Sequence, residues 1–164
     1  MRAALLFALW LLAGCAGVAE PRVAVADFGV LAQTELVSLQ AGEREAAFTA
    51  RLESDGEVLR VVAITPTGQR LFSLIRRGQS LQTEAGPLWP AAMPLTVVWA
   101  DIELVHLAMR APQAGLPAGW TRKAEGACDE WSYRQQMQAK VCHDDGRYSL
   151  IRPAYRISVE VLPE

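Results

Sequence analysis

Regular alternation of apolar and polar side chains is the clearest pattern in the chain, and it predicts strands. Phe48, Ala50 and Leu52 are apolar, whereas the residues between them are polar. A period of two is typical of a strand with one buried face. Asp55 and Gly56 follow directly, and Asp-Gly between two such runs is a strong signal for a hairpin turn. The pattern therefore predicts an antiparallel strand pair at this point.

The next two predicted strands are apolar on both faces. Residues 61–64 form one continuous apolar run, residues 71–75 form a nearly continuous one, and Thr65-Pro66-Thr67-Gly68 makes the turn between them. Runs of this kind are typical of strands that are covered on both sides. One face would meet the core, and the other would line a cavity or meet a partner. The alternative is that the protein's own side chains cover both faces and leave nothing open.

Residues 95–109 are the only good helix candidate. Val98, Ile102 and Val105 fall on one stripe of a helical wheel, and Pro112 lies just beyond the end of the pattern. The preceding loop, residues 86–94, is rich in proline, so it cannot form a regular ladder, yet it is unusually apolar. Its apolar side chains either close one end of the core or form the lid of a pocket.

A second group of predicted strands runs from Trp120 to Leu162 and ends in a clean alternation over residues 155–161. Consecutive antiparallel strands tend to be neighbours in a sheet. We therefore predict one α+β, mostly β domain over residues 35–164. Its strongly curved antiparallel sheet would wrap one central helix, whose apolar stripe would fill the concave side.

The first fifteen residues resemble a bacterial lipoprotein signal. Arg2 precedes a short apolar segment, and Leu12-Ala13-Gly14-Cys15 looks like the lipobox, in which the cysteine is lipidated after cleavage. Residues 1–14 would then be the signal peptide, and 15–34 the lipidated Cys15 and a flexible tether. The alternative is a signal peptide without lipidation. Ala16 stands where lipoproteins of the inner membrane tend to carry aspartate, so the resemblance implies an outer-membrane anchor facing the periplasm.

Charge and cysteine content restrict the class further. Without Arg2, 15 basic residues face 18 acidic ones, a net charge of −3, and no basic stripe favours nucleic-acid binding. Export places Cys128 and Cys142 in an oxidising compartment, where a disulfide between them would close a loop of about 14 residues. The alternative is a metal site that includes His143, but it lacks a fourth ligand and the usual spacing. We expect no metal and no cofactor.

Three segments carry a resemblance to a known family: residues 62–72 (VAITPTGQRLF), 100–104 (ADIEL) and 155–160 (YRISVE). They resemble an uncharacterised family of small bacterial lipoproteins that is similar to the lipoprotein receptor LolB. The resemblance implies a half-open β-barrel of the LolA/LolB kind, capped by helices around an apolar cavity for acyl chains. It also implies a LolA-like carrier or a lipid exporter as partner. LolB has an exposed apolar residue in the turn where this chain has Thr67, and a hydroxyl cannot replace it.

Catalytic motifs give little support for an enzyme. The chain has neither a G-x-S-x-G elbow, an H-E-x-x-H pair nor a phosphate loop. His106 and His143 are its only histidines, and the pattern places His106 at the polar edge of the helix and His143 beside a turn, both solvated. A hydrolase whose nucleophile, base and acid meet only in space is one alternative, but no motif proposes it.

Asp101 is the charge that fits its predicted element least. It falls on the apolar side of the helical wheel, where an unpaired carboxylate is costly. We expect it to pair with an arginine, Arg70 or Arg156, or to cap the helix start. A role in gating a cavity is the alternative.

These patterns together predict a non-enzymatic, monomeric carrier or acceptor for an apolar ligand, an acyl chain or a lipidated partner in outer-membrane lipid or lipoprotein trafficking. The alternative is an accessory or scaffold lipoprotein of an envelope export, aryl-polyene or lipid assembly system. Cavity volume would discriminate between them. The residues expected to form the pocket are apolar side chains of the inner strands, the loop and the helix: Val61, Ile64, Leu71, Phe72, Leu74, Leu88, Trp89, Met93, Val98, Ile102 and Val105.

Overall fold

A computed structural model describes residues 21, 23–109 and 116–163. Within these ranges the chain forms ten strands and two helices, and the long helix has the predicted bounds. In chain order they are α1 (Val25–Phe28), β1 (Val30–Ala41), β2 (Arg44–Asp55), β3 (Val58–Ile64), β4 (Arg70–Arg77), β5 (Ser80–Ala85), α2 (Leu95–Met109), β6 (Trp120–Glu125), β7 (Cys128–Tyr133), β8 (Gln136–Asp144), β9 (Arg147–Ile151) and β10 (Arg156–Leu162).

All ten strands belong to one antiparallel sheet in the order β5-β4-β3-β2-β1-β10-β9-β8-β7-β6. The fold is therefore mostly β, as predicted. Two five-stranded meanders meet in the middle, where β1 pairs with β10 and Val37 lies opposite Val159. Strands β5 and β6 stand at opposite ends of this order and do not pair with each other, so the described sheet is not closed into a barrel.

The β2–β3 hairpin forms where the Asp-Gly signal predicted it. Gly56 has a φ of +89°, a conformation that glycine adopts without strain. The side chain of Asp55 accepts hydrogen bonds from the backbone N–H groups of Glu57 and Val58, at 2.9 and 2.7 Å. These bonds, the one from Val58 first, lower the pKa of the Asp55 carboxyl. The turn is thus stabilised by its own side chain.

The inner face of the sheet follows the predicted alternation. In β2 the buried residues are Phe48, Ala50, Leu52 and Ser54. In strand β3, Val62 is exposed on the outer face, so the alternative in which the protein's own side chains cover both faces does not hold among the described residues. Only one face of this strand is covered by described residues, although its sequence is apolar on both.

Helix α2 lies against the inner face and shows how far the sheet bends. It contacts β4 and β5 on one side and β8 and β9 on the other. Strands β5 and β8 are seven positions apart, about 34 Å across a flat sheet at about 4.8 Å per strand. A helix is only about 10–12 Å wide with its side chains. The sheet must therefore curve around α2.

The N-terminal part of the domain corrects the predicted tether. Val23, Val25 and Phe28 are buried in the core, α1 contacts β3, and β1 begins at Val30 instead of near Leu36. The folded domain thus includes residues that were assigned to the tether, and α1 is a second, unpredicted helix. The signal peptide, Cys15 and the rest of the tether, apart from residue 21, lie outside the described residues. Neither described helix is both long and apolar enough to cross a membrane.

Candidate functional site

A hollow of about 70 Å³ lies between α2 and the inner face of the sheet. Twelve of its fifteen lining residues are apolar, and three can ionise. The apolar ones are Val37, Phe48, Ala50, Leu52, Val61, Phe72, Val98, Ile102, Val105, Leu150, Ile157 and Val159, and the ionisable ones are Glu35, Asp101 and His106.

The strand register explains why space is left at this position. Glu35, Ala50, Ala63 and Phe72 lie opposite one another across β1, β2, β3 and β4. Two alanines thus separate a carboxyl group from an aromatic ring, and their short side chains do not reach the helix above them. On the other side, the predicted apolar stripe of α2 faces the hollow with half-buried side chains. The gap is built by small residues in the middle of the sheet.

The predicted pocket divides into residues that line this hollow and residues that do not. Val61, Phe72, Val98, Ile102 and Val105 line it. The other six lie elsewhere. Leu74 is fully buried, and Leu71 is partly buried and packs against the core. Ile64 is exposed on the outer face of β3. The remaining three are the loop residues Leu88, Trp89 and Met93.

The apolar loop before α2 closes the core and does not line the hollow. The ring of Trp89 packs edge-on against Phe72, with ring centroids 4.7 Å apart, and its Nε1–H donates to the carbonyl oxygen of Met93 at 2.7 Å. Leu88 points away from the core and is 54% exposed. Because Trp89 is bound to its own loop, the loop folds back on itself over the end of β4.

Asp101 holds α2 to the turn between β9 and β10. Its Oδ1 accepts hydrogen bonds from Nε and Nη2 of Arg152, at 2.9 and 2.7 Å, and its Oδ2 accepts one from the hydroxyl of Tyr155 at 2.5 Å. The partner is an arginine, but neither of the two that the sequence suggested. Arg70 pairs with Glu84 on the neighbouring strand, and Arg156 is exposed on β10.

Glu35 is a charged site residue that sequence reasoning did not single out. It is only 8% exposed, it lines the hollow, and burial raises the pKa of its carboxyl, opposed by a hydrogen bond from the side chain of Gln33. The signal was its position: Glu35, Val37 and Leu39 are alternate residues of one strand. Placing the first strand near Leu36 instead of Val30 left Glu35 out of that alternation.

A family model described as "Protein of unknown function (DUF3261)" matches residues 32–159. The chain belongs to this family. The match spans β1 to β10 and includes every residue that lines the hollow, as well as Asp101 and its partners. No curated protein matches the chain.

Both histidines of the DUF3261 domain are less exposed than predicted. His106 is 5% exposed, because Phe28 of α1 covers it with ring centroids 4.9 Å apart, and it lines the hollow. His143 is half-buried on β8. The prediction of a solvated His106 was wrong because it did not include α1.

Cys128 and Cys142 of the DUF3261 domain are joined by a disulfide between the neighbouring strands β7 and β8. The described residues include no cluster of histidine, cysteine and carboxylate side chains that could hold a metal ion. Thr67 is exposed in the β3–β4 turn, where its hydroxyl hydrogen-bonds with that of Thr65 at 2.8 Å. The turn therefore presents a polar group.

A larger depression, about 470 Å³, lies on the outer face of the DUF3261 sheet. Among its lining residues, Ser38, Ser149 and Ser158 lie on neighbouring central strands and alternate with inward-facing positions. Most of its other lining residues are also polar. The smaller hollow is the more apolar of the two, because only three of its fifteen lining residues are polar.

Proposed function

We propose that this DUF3261 domain is a non-enzymatic carrier or acceptor that holds the apolar chain of a lipid or lipidated partner between α2 and the sheet. The observation that supports this proposal is the hollow itself, an apolar space in the concave side of a curved sheet. Transfer of apolar surface out of water would drive binding, at about 25 cal/mol per Å².

The volume of the hollow sets a condition on this proposal. A space of about 70 Å³ is little more than the share of two water molecules, at about 30 Å³ each, whereas pockets for small molecules usually measure about 300–1,000 Å³. An acyl chain would therefore have to displace α2 outward. Each buried methylene contributes about 0.8 kcal/mol, so a chain of ten would contribute about 8 kcal/mol toward that movement.

The resemblance to LolB supports the same ligand class and a location at the outer membrane, facing the periplasm. We propose that lipid on Cys15 anchors the chain there and that a LolA-like carrier or a lipid exporter is its partner. Labelling cells with an alkyne fatty acid would test the anchor, because a Cys15→Ala variant should lose the label. Because Thr67 is polar, the proposal does not include insertion of cargo into the membrane by the β3–β4 turn.

Filling the hollow tests the proposal directly. Val98 lines the hollow, whereas the preceding residue of the same helix, Val97, is exposed. Full-length protein should bind an apolar fluorescent probe, and native mass spectrometry should detect lipid that co-purifies without detergent. Val98→Phe should weaken probe binding at least about tenfold, or about 1.4 kcal/mol, and Val97→Phe should leave it unchanged. Equal binding by both variants would refute the assignment of the site.

Two observations favour a second candidate function. The protein would then be an accessory or scaffold lipoprotein in an envelope export, aryl-polyene or lipid assembly system. The hollow is small, and Leu36 of β1 and Val62 and Ile64 of β3 are exposed on the outer face of the sheet. Exposed apolar clusters often mark binding surfaces for proteins. If wild-type protein binds neither probe nor lipid, this second function replaces the first.

A further inference from the structure

Glu35 is a carboxyl group placed inside an apolar binding space. It lies opposite Ala50 on β2, its neighbour on the same face of β1 is Val37, and both of these line the hollow with it. Only 8% of its surface is exposed. An apolar side chain would complete this face without any desolvation of charge, so the carboxyl is a local exception to the pattern that builds the core.

Two buried aspartates, Asp101 on α2 and Asp129 on β7, differ from Glu35 in their partners. Asp101 is bound by Arg152, and Asp129 accepts two hydrogen bonds from Arg122, at 2.7 and 2.9 Å. Glu35 accepts one hydrogen bond, from Nε2 of Gln33 at 2.5 Å, and no cation within the described ranges lies at ion-pair distance from it. A carboxylate has about four acceptor positions. Glu35 therefore has acceptor capacity left, and its side chain borders the hollow.

The surroundings of Glu35 favour a donor rather than an anion as its partner. Burial raises the pKa of its carboxyl, and its negative charge contributes, after burial, to the raised pKa of Tyr148. The second acid that lines the hollow is Asp101, which is bound to Arg152 at 2.7 Å. His106 is the only basic residue among the lining side chains. An anionic group entering the hollow would thus meet a carboxyl group, and no arginine or lysine is among the described lining residues.

We propose that the ligand of this hollow is an amphiphile whose head group donates hydrogen bonds, such as an alcohol, an amine or an amide N–H, and that Glu35 accepts them. The hollow would then select against free fatty-acid anions. This inference rests on the proposed function, because it names the class of ligand for the same site. The apolar chain would lie along the α2 stripe, and the head group would lie over Ala50 beside Glu35.

Three ligands with the same twelve-carbon chain separate the head group from the chain. Full-length protein loaded with an apolar fluorescent probe would be titrated with dodecan-1-ol, dodecylamine and dodecanoate at about pH 8, where a free carboxylic acid is ionised. The alcohol and the amine should displace the probe at concentrations at least about tenfold lower than dodecanoate does. Near-ultraviolet circular dichroism would establish that each protein sample is folded.

A matched pair of substitutions locates the effect. Glu35→Gln keeps the shape of the side chain and removes its charge, and it should reduce the preference over dodecanoate to within about threefold. Glu45→Gln removes the same charge from an exposed position of β2 and should leave the preference unchanged.

The possible outcomes distinguish failure of the head-group assignment from failure of the proposed function. If wild-type protein binds dodecanoate as tightly as the alcohol, or if Glu35→Gln keeps the full preference, the head-group assignment is wrong while apolar binding stands. If none of the three compounds displaces the probe, the proposed function fails and the head-group assignment fails with it.

Discussion

The pairing of Asp101 with Arg152 gives the sharpest test of how α2 is held to the sheet. The side chains of Arg152 and Asp101 are 9% and 5% exposed, and two guanidinium N–H groups converge on one carboxylate oxygen. Asp101→Asn keeps the size of the side chain but removes the charge. Arg152 would then stay buried beside a neutral amide that cannot compensate it.

The size of this effect follows from burial. Removing one partner of a buried ion pair leaves the other charge uncompensated and typically costs about 3–5 kcal/mol. Domains of this size are stable by only about 5–15 kcal/mol. We therefore expect Asp101→Asn to lower the free energy of unfolding by about 3 kcal/mol or more. The exposed pair between Arg70 and Glu84 serves as the control, because such pairs contribute about 0–1 kcal/mol.

Urea unfolding followed by far-ultraviolet circular dichroism would measure both variants, Asp101→Asn and Glu84→Gln. A double variant, Asp101→Leu with Arg152→Met, adds a second check, because replacing both charges by apolar groups is often close to neutral. If Asp101→Asn unfolds within about 1 kcal/mol of wild type, the ion pair does not hold the helix. Apolar packing by Trp99 and Leu104, both buried, would then be the main attachment.

Two further effects on stability are expected. Loss of the Cys128–Cys142 disulfide, by reduction or by Cys128→Ser with Cys142→Ser, should lower the free energy of unfolding by about 3 kcal/mol. The reason is that the bond closes a loop with a sequence separation of 14. An unchanged urea midpoint after reduction would contradict this. The carboxyl of Glu35 binds its proton more tightly in the folded state, so its contribution to stability should decline as the pH rises above its ordinary pKa of 4.5. The free energy of unfolding of Glu35→Gln should therefore rise relative to that of wild type as the pH goes from acidic to neutral. If the two proteins lose or gain stability in parallel over this range, Glu35 is not buried as described.

Local signals in the sequence were sufficient for the regular elements. Residues 95–109 are mostly apolar and lie between two prolines, and the helix occupies that range. The Asp55-Gly56 turn also formed where predicted, because a hairpin turn depends on residues that are adjacent in the chain. Both elements depend on residues that are close together in the sequence, so they can be predicted without knowledge of tertiary contacts.

Features that depend on distant residues could not be predicted in the same way. Arg152 lies 51 residues from Asp101, and several arginines fit the requirement for a buried partner equally well. The outer exposure of Ile64 depends on which face of β3 the helix covers, and an apolar run does not specify a face. Glu35 was missed for a different reason: its alternation was present, but the first strand was predicted to begin near Leu36, one residue after it.

The pairing of the first strand with the last has a consequence for biosynthesis. Strands β1 and β10 come together only after the chain has been synthesised as far as Arg156–Leu162, so the two meanders stay separate until then. Each half meanwhile exposes an unpaired strand edge, which is a template for association with other chains. Loss of the final strand would leave β1 and β9 each with one permanently unpaired edge, and a truncated chain should aggregate instead of folding as a smaller domain. A chain that stops before Arg156 would therefore lose the pairing that joins the two meanders.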